Sequence, residues 1–143
     1  MTRVIALDVG HRRIGIAASD PLGITAQPVE TYRRKGLEAD IARLAALFTE
    51  REAGLIVCGL PLNMNGSEGS QAEETRRFAL ALQQACGLPF EFVDERLTSA
   101  MAQRSLIESG MRREKRKDVI DQLAAVHILQ TYLDRARASK QGE

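Results

Sequence analysis

The first third of the chain alternates short apolar runs with turn residues. Val4–Leu7 and Gly15–Ala18 have the length and composition of buried strands, and residues 10–12 between them allow the two to pair antiparallel. Thr25–Tyr32 is predicted to be a third strand. Its Pro28 has no backbone N–H to donate, which predicts an edge position or a bulge for this strand.

Beyond residue 36 the apolar positions recur at helical spacing. Leu37, Ile41, Leu44 and Phe48 share one face, and Gly54 is predicted to mark the end of this helix. The segment 55–59 that follows is apolar on both faces, which is typical of a central strand covered by helices on either side.

The remaining pattern continues with helices and one more strand. Ser70 and Glu73 have the spacing of a capping box, so a helix is predicted to begin there and to end at Gly87. Phe90–Val93 is the last predicted strand, and helices are predicted over 99–109 and 118–138. Three strands followed by helix–strand units predict an α/β fold with a mixed sheet.

Composition is that of an ordinary globular protein and excludes several classes. The 143 residues are 44% hydrophobic and 27% charged, which predicts one folded domain over residues 1–143. Two cysteines, Cys58 and Cys86, are too few for a disulfide scaffold and are expected to be small buried hydrophobes in a reducing compartment. No signal-peptide layout and no membrane-length apolar run is present, so the protein is expected to be cytoplasmic, with no membrane partner.

Acidic residues fall at the ends of three predicted elements. Asp8 closes the first strand, Asp94 and Glu95 close the last strand, and Asp118 and Asp121 open the last helix. Ligands of open α/β sheets gather at the carboxyl ends of the strands, so these carboxylates are expected to lie near one another. Oxygen-rich sites select hard cations such as Mg²⁺ or Mn²⁺, and two such ions can activate water for phosphodiester cleavage. Taken singly, each acid also has a structural explanation, such as a helix cap or a turn.

A basic segment directly precedes the last predicted helix. Between Arg112 and Asp118 there are five basic and two acidic residues, although the whole chain carries a net charge of only +1. Such a segment is either a solvated loop or a contact for the phosphate backbone of a nucleic acid. Next to a metal-dependent site, the second interpretation gains weight.

Several motifs in order resemble the YqgF (RuvX) family of pre-16S rRNA nucleases, which are also described as Holliday-junction-resolvase-like. They cover nearly the whole chain: Leu7-Asp8-Val9-Gly10 with Ile14-Gly15-Ile16-Ala17, the segment 59–66, Asp94-Glu95-Arg96-Leu97-Thr98, and Lys115-Arg116-Lys117 before Ile120-Asp121. The resemblance implies a ribonuclease-H-like fold, with a five-stranded mixed sheet flanked by α-helices. It also implies a nuclease that requires Mg²⁺ or Mn²⁺, with two ions expected.

Residue roles follow from the same resemblance. It implies that Asp8, Glu95 and Asp121 are catalytic and hold the metal, with Asp118 either an auxiliary ligand or a helix cap. Adjacent strand residues point to opposite faces, so only one of Asp94 and Glu95 should face the metals, and Glu95 is favoured. His11 departs from the small polar residue that the family pattern has at this position.

Substrate contacts are predicted from polar loops and from the basic segment. The expected substrate-binding residues are Asn63, Asn65, Arg96, Arg113, Lys115, Arg116 and Lys117. Asn63 and Asn65 have the alternative of forming the loop's own turns, and Arg96 that of pairing with a neighbouring carboxylate. His127, within the apolar run of the last helix, is expected to be a buried or half-buried packing residue.

The expected partner is nucleic acid, and RNA is favoured, in the form of pre-rRNA. Branched or single-stranded DNA is an alternative, as for a Holliday junction resolvase, which would need a dimer to cut two strands. A further alternative is a nucleic-acid-binding factor without catalysis, such as one acting on transcription. The sequence leaves both the monomer and the homodimer open.

Overall fold

The computed structural model describes residues 3–97 and 113–141, and in the last helix it describes the side chains of residues 118–139. In chain order the elements are β1 (Arg3–Val9), β2 (Arg13–Ser19), β3 (Ala26–Arg33), α1 (Leu37–Glu50), β4 (Ala53–Leu60), α2 (Ser70–Cys86), β5 (Phe90–Asp94) and α3 (Arg113–Gln141). One 3-10 turn, Glu95–Leu97, follows β5. The helix predicted over 99–109 lies outside the described residues.

The strands form one five-stranded mixed sheet, as predicted, in the order β3-β2-β1-β4-β5. β2 pairs antiparallel with both β1 and β3, whereas β1, β4 and β5 run parallel. Both expectations for Pro28 are confirmed, because β3 is an edge strand and its pairing with β2 shifts register between Ile16 and Ala17, opposite this proline. The carboxyl ends of the three parallel strands therefore meet at one edge of the sheet.

Helices cover both faces of the sheet, with two separate cores. α1 and α2 pack Phe48, Phe78 and Leu82 against the larger side chains of one face. On the other face α3 packs its apolar side against small residues such as Ala6 and Ala17. Small side chains let a helix approach closely, and at Gly15 an added Cβ would overlap the backbone carbonyl of Asp121.

Two helix boundaries differ from the prediction. α1 ends at Glu50, and Gly54 lies inside β4 instead of ending the helix. The chain reverses through Glu52, whose φ of 55° is in the left-handed region. The predicted capping box is wrong as well, because the N-cap of α2 is Gly69 without a side-chain cap bond and Ser70 is already helical. Gly87 does end α2 in the left-handed conformation, as expected.

From Arg113 onwards the basic segment is helical and not a loop, and Arg112 lies outside the described residues. α3 begins at Arg113, five residues before the predicted start, and extends to Gln141. Residues 113–118 contain neither glycine nor proline and are rich in arginine, lysine and glutamate, which are strong helix formers. Nothing in this stretch therefore interrupts the helix, and its charge pattern alone does not indicate a loop.

Both cysteines are free thiols. Cys58 is fully buried and Cys86 is half-buried. Burial raises the pKa of the Cys58 thiol to about 12, as expected for a core residue that performs no chemistry. Among the described residues, no helix has the length and apolar character needed to cross a membrane.

Candidate active site

A cleft of about 710 Å³ lies at the edge of the sheet where the parallel strands end. Asp8, Glu95 and Asp121 all line this cleft. They come from β1, from the turn after β5 and from α3, so only the fold brings them together. Asp94 does not line the cleft, and Glu95 is thus the member of this adjacent pair that lies with Asp8 and Asp121.

Two glycines explain how the three acids fit together. Gly15 pairs with Asp8 across the β1–β2 ladder, and the backbone of Asp121 lies directly over it. On the other side of Asp8, Gly59 follows Cys58, which pairs with Leu7. A Cβ on Gly59 would lie 2.7 Å from Oε1 of Glu95. Asp8 is thus flanked by two positions without side chains, and each of them admits another acidic residue.

The central acid is mostly buried, whereas Asp121 is half-buried. Asp8 is 9% exposed, between the two glycines that flank it on the neighbouring strands. The Nε of Arg13 donates to Oδ2 of Asp121 at 2.7 Å, and 18% of the Asp121 side chain is exposed. Mutual repulsion among three carboxylates is reduced where one of them has a cationic partner. The sequence analysis did not identify Arg13 as part of the site.

The donor groups suit a hard divalent cation, but they are not gathered around one point. Carboxylate oxygens are the ligands that Mg²⁺ and Mn²⁺ prefer. Within the described ranges, no three histidine, cysteine, aspartate or glutamate side chains are close enough together to hold an ion. The Asp121 carboxylate is turned to Arg13. The acids of the cleft therefore fit a hard cation in the chemistry of their donor atoms, and in this arrangement the Asp121 carboxylate is paired with Arg13.

Asp118 lies apart from the other acids and does not line the cleft. Its carboxylate is 3.5 Å from Nη2 of Arg33, and its backbone carbonyl accepts a 2.6 Å hydrogen bond from the Thr31 hydroxyl. These contacts attach α3 to the edge strand β3. The helix-cap alternative is wrong, because α3 begins five residues earlier, at Arg113.

The loop between β4 and α2 uses its polar side chains internally. Nδ2 of Asn63 donates to the Ser67 hydroxyl at 3.0 Å, and Oδ1 of Asn65 accepts the Ser67 backbone N–H at 3.0 Å. Neither asparagine lines the cleft. The side-chain amides predicted to bind substrate therefore form the turns of their own loop, which is the alternative that the sequence left open.

Arg96 is likewise occupied by a partner within the protein. Its Nε and Nη2 donate to the Asp94 carboxylate at 3.1 and 2.7 Å, and its Nη1 donates to the Met64 carbonyl at 2.9 Å. The guanidinium lowers the pKa of Asp94, as expected for a bidentate ion pair. Of the two roles expected for Arg96, the structure contains the carboxylate pair, and this pair connects the end of β5 to the loop after β4.

A buried aspartate holds one of the arginines that line the cleft. Asp40 is fully buried and accepts hydrogen bonds from the Tyr32 hydroxyl, Nε of Arg34 and the Lys35 backbone N–H, each at 2.9 Å. Burial alone would raise the pKa of Asp40, but these donors together lower it. Arg34 also donates to the Gly10 carbonyl at 2.9 Å, two residues beyond Asp8. Asp40 thereby positions a cleft-lining arginine that holds the end of β1.

The two histidines differ in exposure. His11 is exposed at the rim of the cleft, with its Nδ1 3.3 Å from Oε2 of Glu74 on α2. His127 is half-buried in α3, in line with the expected packing role.

The basic residues Arg113, Lys115, Arg116 and Lys117 lie four to eight positions before Asp121 on α3. At a rise of about 1.5 Å per residue, their backbone is roughly 6–12 Å along the helix axis from Asp121.

The glycines were the available signal that the sequence analysis did not use. A glycine inside a strand often marks a close approach by another backbone or a ligand, and Gly15 and Gly59 both lie in strand interiors. Arg13 carries no comparable signal, because an arginine at the start of a strand is ordinary. Its partner Asp121 is 108 residues away in the chain.

Comparisons with known proteins agree with the fold and define the family. The family model described as "RuvX: Holliday junction resolvase" matches residues 2–135. A Syntrophomonas wolfei protein named "Putative pre-16S rRNA nuclease" is 53% identical over 132 residues, covering 92% of this chain and 94% of that protein. A Moorella thermoacetica protein of the same name is 53% identical over 133 residues, covering 93% and 95%.

Solved structures extend the likeness at the level of the fold. RuvC of T. thermophilus, in complex with a Holliday junction substrate, superposes with a TM-score of 0.59 at 9% identity, covering 95% of this chain and 96% of that chain. The fowlpox virus resolvase with Holliday junction DNA gives a TM-score of 0.55 at 8% identity, covering 94% and 99%. The architecture is thus the ribonuclease-H-like one that the resemblance implied. With a family model that spans residues 2–135 and relatives at 53% identity, this chain belongs to the RuvX family.

Proposed function

We propose that this chain is a divalent-metal-dependent nuclease that hydrolyses phosphodiester bonds in RNA and processes the precursor of 16S rRNA. Its family and the names of its curated relatives support a nuclease, and those names favour RNA. The observation that carries the proposal is the convergence of Asp8, Glu95 and Asp121 on one cleft at the carboxyl edge of the sheet. Processing of a ribosomal precursor also implies a cytoplasmic protein.

In this proposal the three acids of the cleft are the metal ligands. Mg²⁺ or Mn²⁺, with two ions proposed, supplies activation of water and stabilisation of the leaving oxygen. Asp8 is held in register by the β1–β2 ladder, so its carboxylate is presented at a fixed position beside Gly15. Arg13 binds Asp121 at 2.7 Å, and this ion pair has to open before Asp121 joins the other two acids.

The substrate backbone is proposed to contact the start of α3. Arg113, Lys115, Arg116 and Lys117 precede Asp121 on the same helix, and this order along α3 supports the proposed contact. Neutralising phosphates with such residues gives binding that is independent of sequence and sensitive to salt. Asn63, Asn65 and Arg96 already have hydrogen-bond partners within the protein, so we assign them to the architecture of the rim.

A second candidate is a resolvase acting on branched DNA. It is favoured by the description of the family model and by a fold shared with two resolvases solved with Holliday junctions. Symmetric cutting of a junction requires two active sites, and hence a homodimer, whereas single-stranded RNA can be cut by a monomer. The two candidates therefore differ in both substrate and oligomeric state.

The test compares cleavage of three labelled substrates by matched variants. A pre-16S RNA fragment, single-stranded DNA and a four-way DNA junction are incubated with Mg²⁺, Mn²⁺ or EDTA. The variants are Asp8→Asn and Asp134→Asn, the second being the same chemical change at an exposed position of α3 outside the cleft. We expect Asp8→Asn to lower cleavage by more than about 100-fold, because even residues that only support metal ligands cost about 10–100-fold.

Each outcome of this comparison has a definite meaning. Metal-dependent cutting of the RNA that persists in Asp134→Asn and disappears in Asp8→Asn supports the proposal. Preferential cutting of the junction, together with sedimentation of the protein as a dimer, contradicts the RNA nuclease and supports the resolvase. Cutting that survives Asp8→Asn contradicts the site, and RNA binding without any cutting identifies a non-catalytic factor.

A further inference from the structure

Three arginines line the cleft, and two of them have partners within the protein. Arg13 is bound to Asp121 at 2.7 Å, and Arg34 is bound to Asp40 at 2.9 Å. Arg77, on α2, is exposed to solvent and has no hydrogen bond, ion pair or ring contact with any other residue that the structure describes. One full positive charge on this wall of the cleft is therefore available to a ligand.

The adjacent arginine shows that this is not a general property of the helix. Nε and Nη2 of Arg76 donate to the Glu68 carboxylate at 2.6 and 2.9 Å, and its guanidinium lies 4.8 Å from the centre of the Phe92 ring. Arg76 does not line the cleft. Two neighbouring residues of the same type thus differ in role, because one is bound into the protein and the other is directed to the cleft.

Neither of the two acids that could neutralise Arg77 on its own helix is paired with it. Glu73 and Glu74 lie four and three positions earlier, at spacings that allow helical ion pairs, yet no ion pair joins either of them to Arg77. The Glu74 carboxylate is 3.3 Å from Nδ1 of His11, which belongs to the turn between β1 and β2. Within the described part of the chain, the Arg77 guanidinium is therefore unpaired, in a cleft lined by the carboxylates of Asp8, Glu74, Glu95 and Asp121.

Arg77 and the basic residues of α3 belong to helices on different faces of the sheet. α2 and α3 cover opposite faces of the sheet, and the cleft is lined by residues of both helices. A nucleic-acid strand whose phosphodiester is held at the carboxylates extends in both directions from that point. Arg77 lies on α2, whereas the basic residues at the start of α3 precede Asp121 along the other helix.

We propose that Arg77 binds a backbone phosphate of the nucleic-acid substrate on the α2 side of the cleft, an inference that rests on the proposed nuclease function. The planar guanidinium presents paired N–H donors that match phosphate oxygens. The contact recognises the backbone and carries no base preference. Arg77 is a substrate-binding residue in this assignment, and the carboxylates perform the chemistry.

The test compares Arg77→Gln with Arg76→Gln by fluorescence anisotropy of a labelled single-stranded RNA at several salt concentrations. We expect Arg77→Gln to weaken binding by roughly 5–20-fold, the loss of one charge-assisted hydrogen bond at an exposed site. The slope of log affinity against log salt should become shallower by about 0.7, as for one lost phosphate contact on a single strand. Arg77→Lys should restore the slope, and Arg76→Gln should leave affinity and slope unchanged.

Thermal unfolding separates the loss of RNA affinity from misfolding. Because Arg77 has no partner among the described residues, the Tm of Arg77→Gln should match that of the wild type. Equal affinity and equal slope in Arg77→Gln and the wild type overturn the inference, even if the protein cleaves RNA. Wild-type binding without cleavage removes the nuclease function, yet a selective loss in Arg77→Gln still supports the phosphate contact. A protein that neither binds nor cleaves nucleic acid contradicts both proposals.

Discussion

The close approach of α3 to Gly15 offers a sharp test of how the fold positions the acids. Gly15 pairs with Asp8 on β1, and a Cβ built on it would overlap the carbonyl oxygen of Asp121 and lie 3.2 Å from that residue's Cα. The atoms in the way are backbone atoms, which cannot rotate aside. Gly15→Ala therefore forces α3 away from β2 at the residue that supplies the third acid.

The expected magnitude follows from this geometry. The separation must open by roughly 1 Å, and a misplacement of about 1 Å in a catalytic site can cost about 10²-fold in rate. Overpacking a core costs about 1–3 kcal/mol, and removing a glycine from the unfolded chain offsets about 0.4–1 kcal/mol of that. For a chain of this size, a net loss of about 1–2 kcal/mol lowers the Tm by roughly 2–8 °C. Activity should thus fall far more than stability.

The assay measures RNA cleavage and thermal unfolding on the same preparations of Gly15→Ala and Gly69→Ala. Gly69 is the N-cap of α2, and an added Cβ there would meet only the exposed Asn63 side chain, 3.3 Å away. The control therefore makes the same chemical change without displacing α3. It should retain cleavage within a few-fold, and the Gly15→Ala protein should remain folded by circular dichroism.

Either of two results would refute the role given to Gly15. If Gly15→Ala cleaves as well as Gly69→Ala, the close contact of α3 with β2 is not what positions Asp121. A loss of activity that tracks the fraction of unfolded protein would also contradict it, since displacement of a side chain in the folded state is the stated cause.

Three further outcomes are expected from buried and half-buried charges. Asp40→Ala should destabilise the protein by about 3–5 kcal/mol in urea unfolding, because it leaves the partly buried Arg34 and the Tyr32 hydroxyl without their partner. The pKa of Asp40 in the folded protein lies below its ordinary value of 3.8, so its contribution is present above that pH and is lost as the pH falls through the lower folded-state pKa. As the pH falls, the free energy of unfolding should therefore decline less steeply in Asp40→Asn than in the wild type. An unchanged slope of that free energy against pH would count against this network. Arg13→Gln should tighten Mn²⁺ binding by about 2–5-fold in calorimetric titration, since Asp121 no longer has a competing cation, whereas weaker binding would identify Arg13 as a residue that positions Asp121 for the metal.

The sequence was most informative where local patterns and local chemistry coincide. Apolar runs predicted the strands to within a few residues, and Pro28 predicted the edge and the register shift. It failed at the capping box and at the start of α3, where several local conformations are compatible with the same residues. Ser70 could cap the helix or lie inside it, and the basic segment could be a loop or a helical turn. The structure places Ser70 inside α2, and the helix-forming residues 113–118 continue α3 towards its start.

By itself the sequence determined the α/β architecture, the family resemblance and the placement of acids at the ends of elements, because these depend on periodicity and on order along the chain. Tertiary structure alone decided which acids share the cleft. It joined Asp8, Glu95 and Asp121, and it left Asp94 to Arg96 and Asp118 to the edge strand. The physical reason is that local pattern specifies only which face a residue occupies. Which residues meet is set by how closely the helices pack on the sheet, and here two glycines beside Asp8 permit that approach.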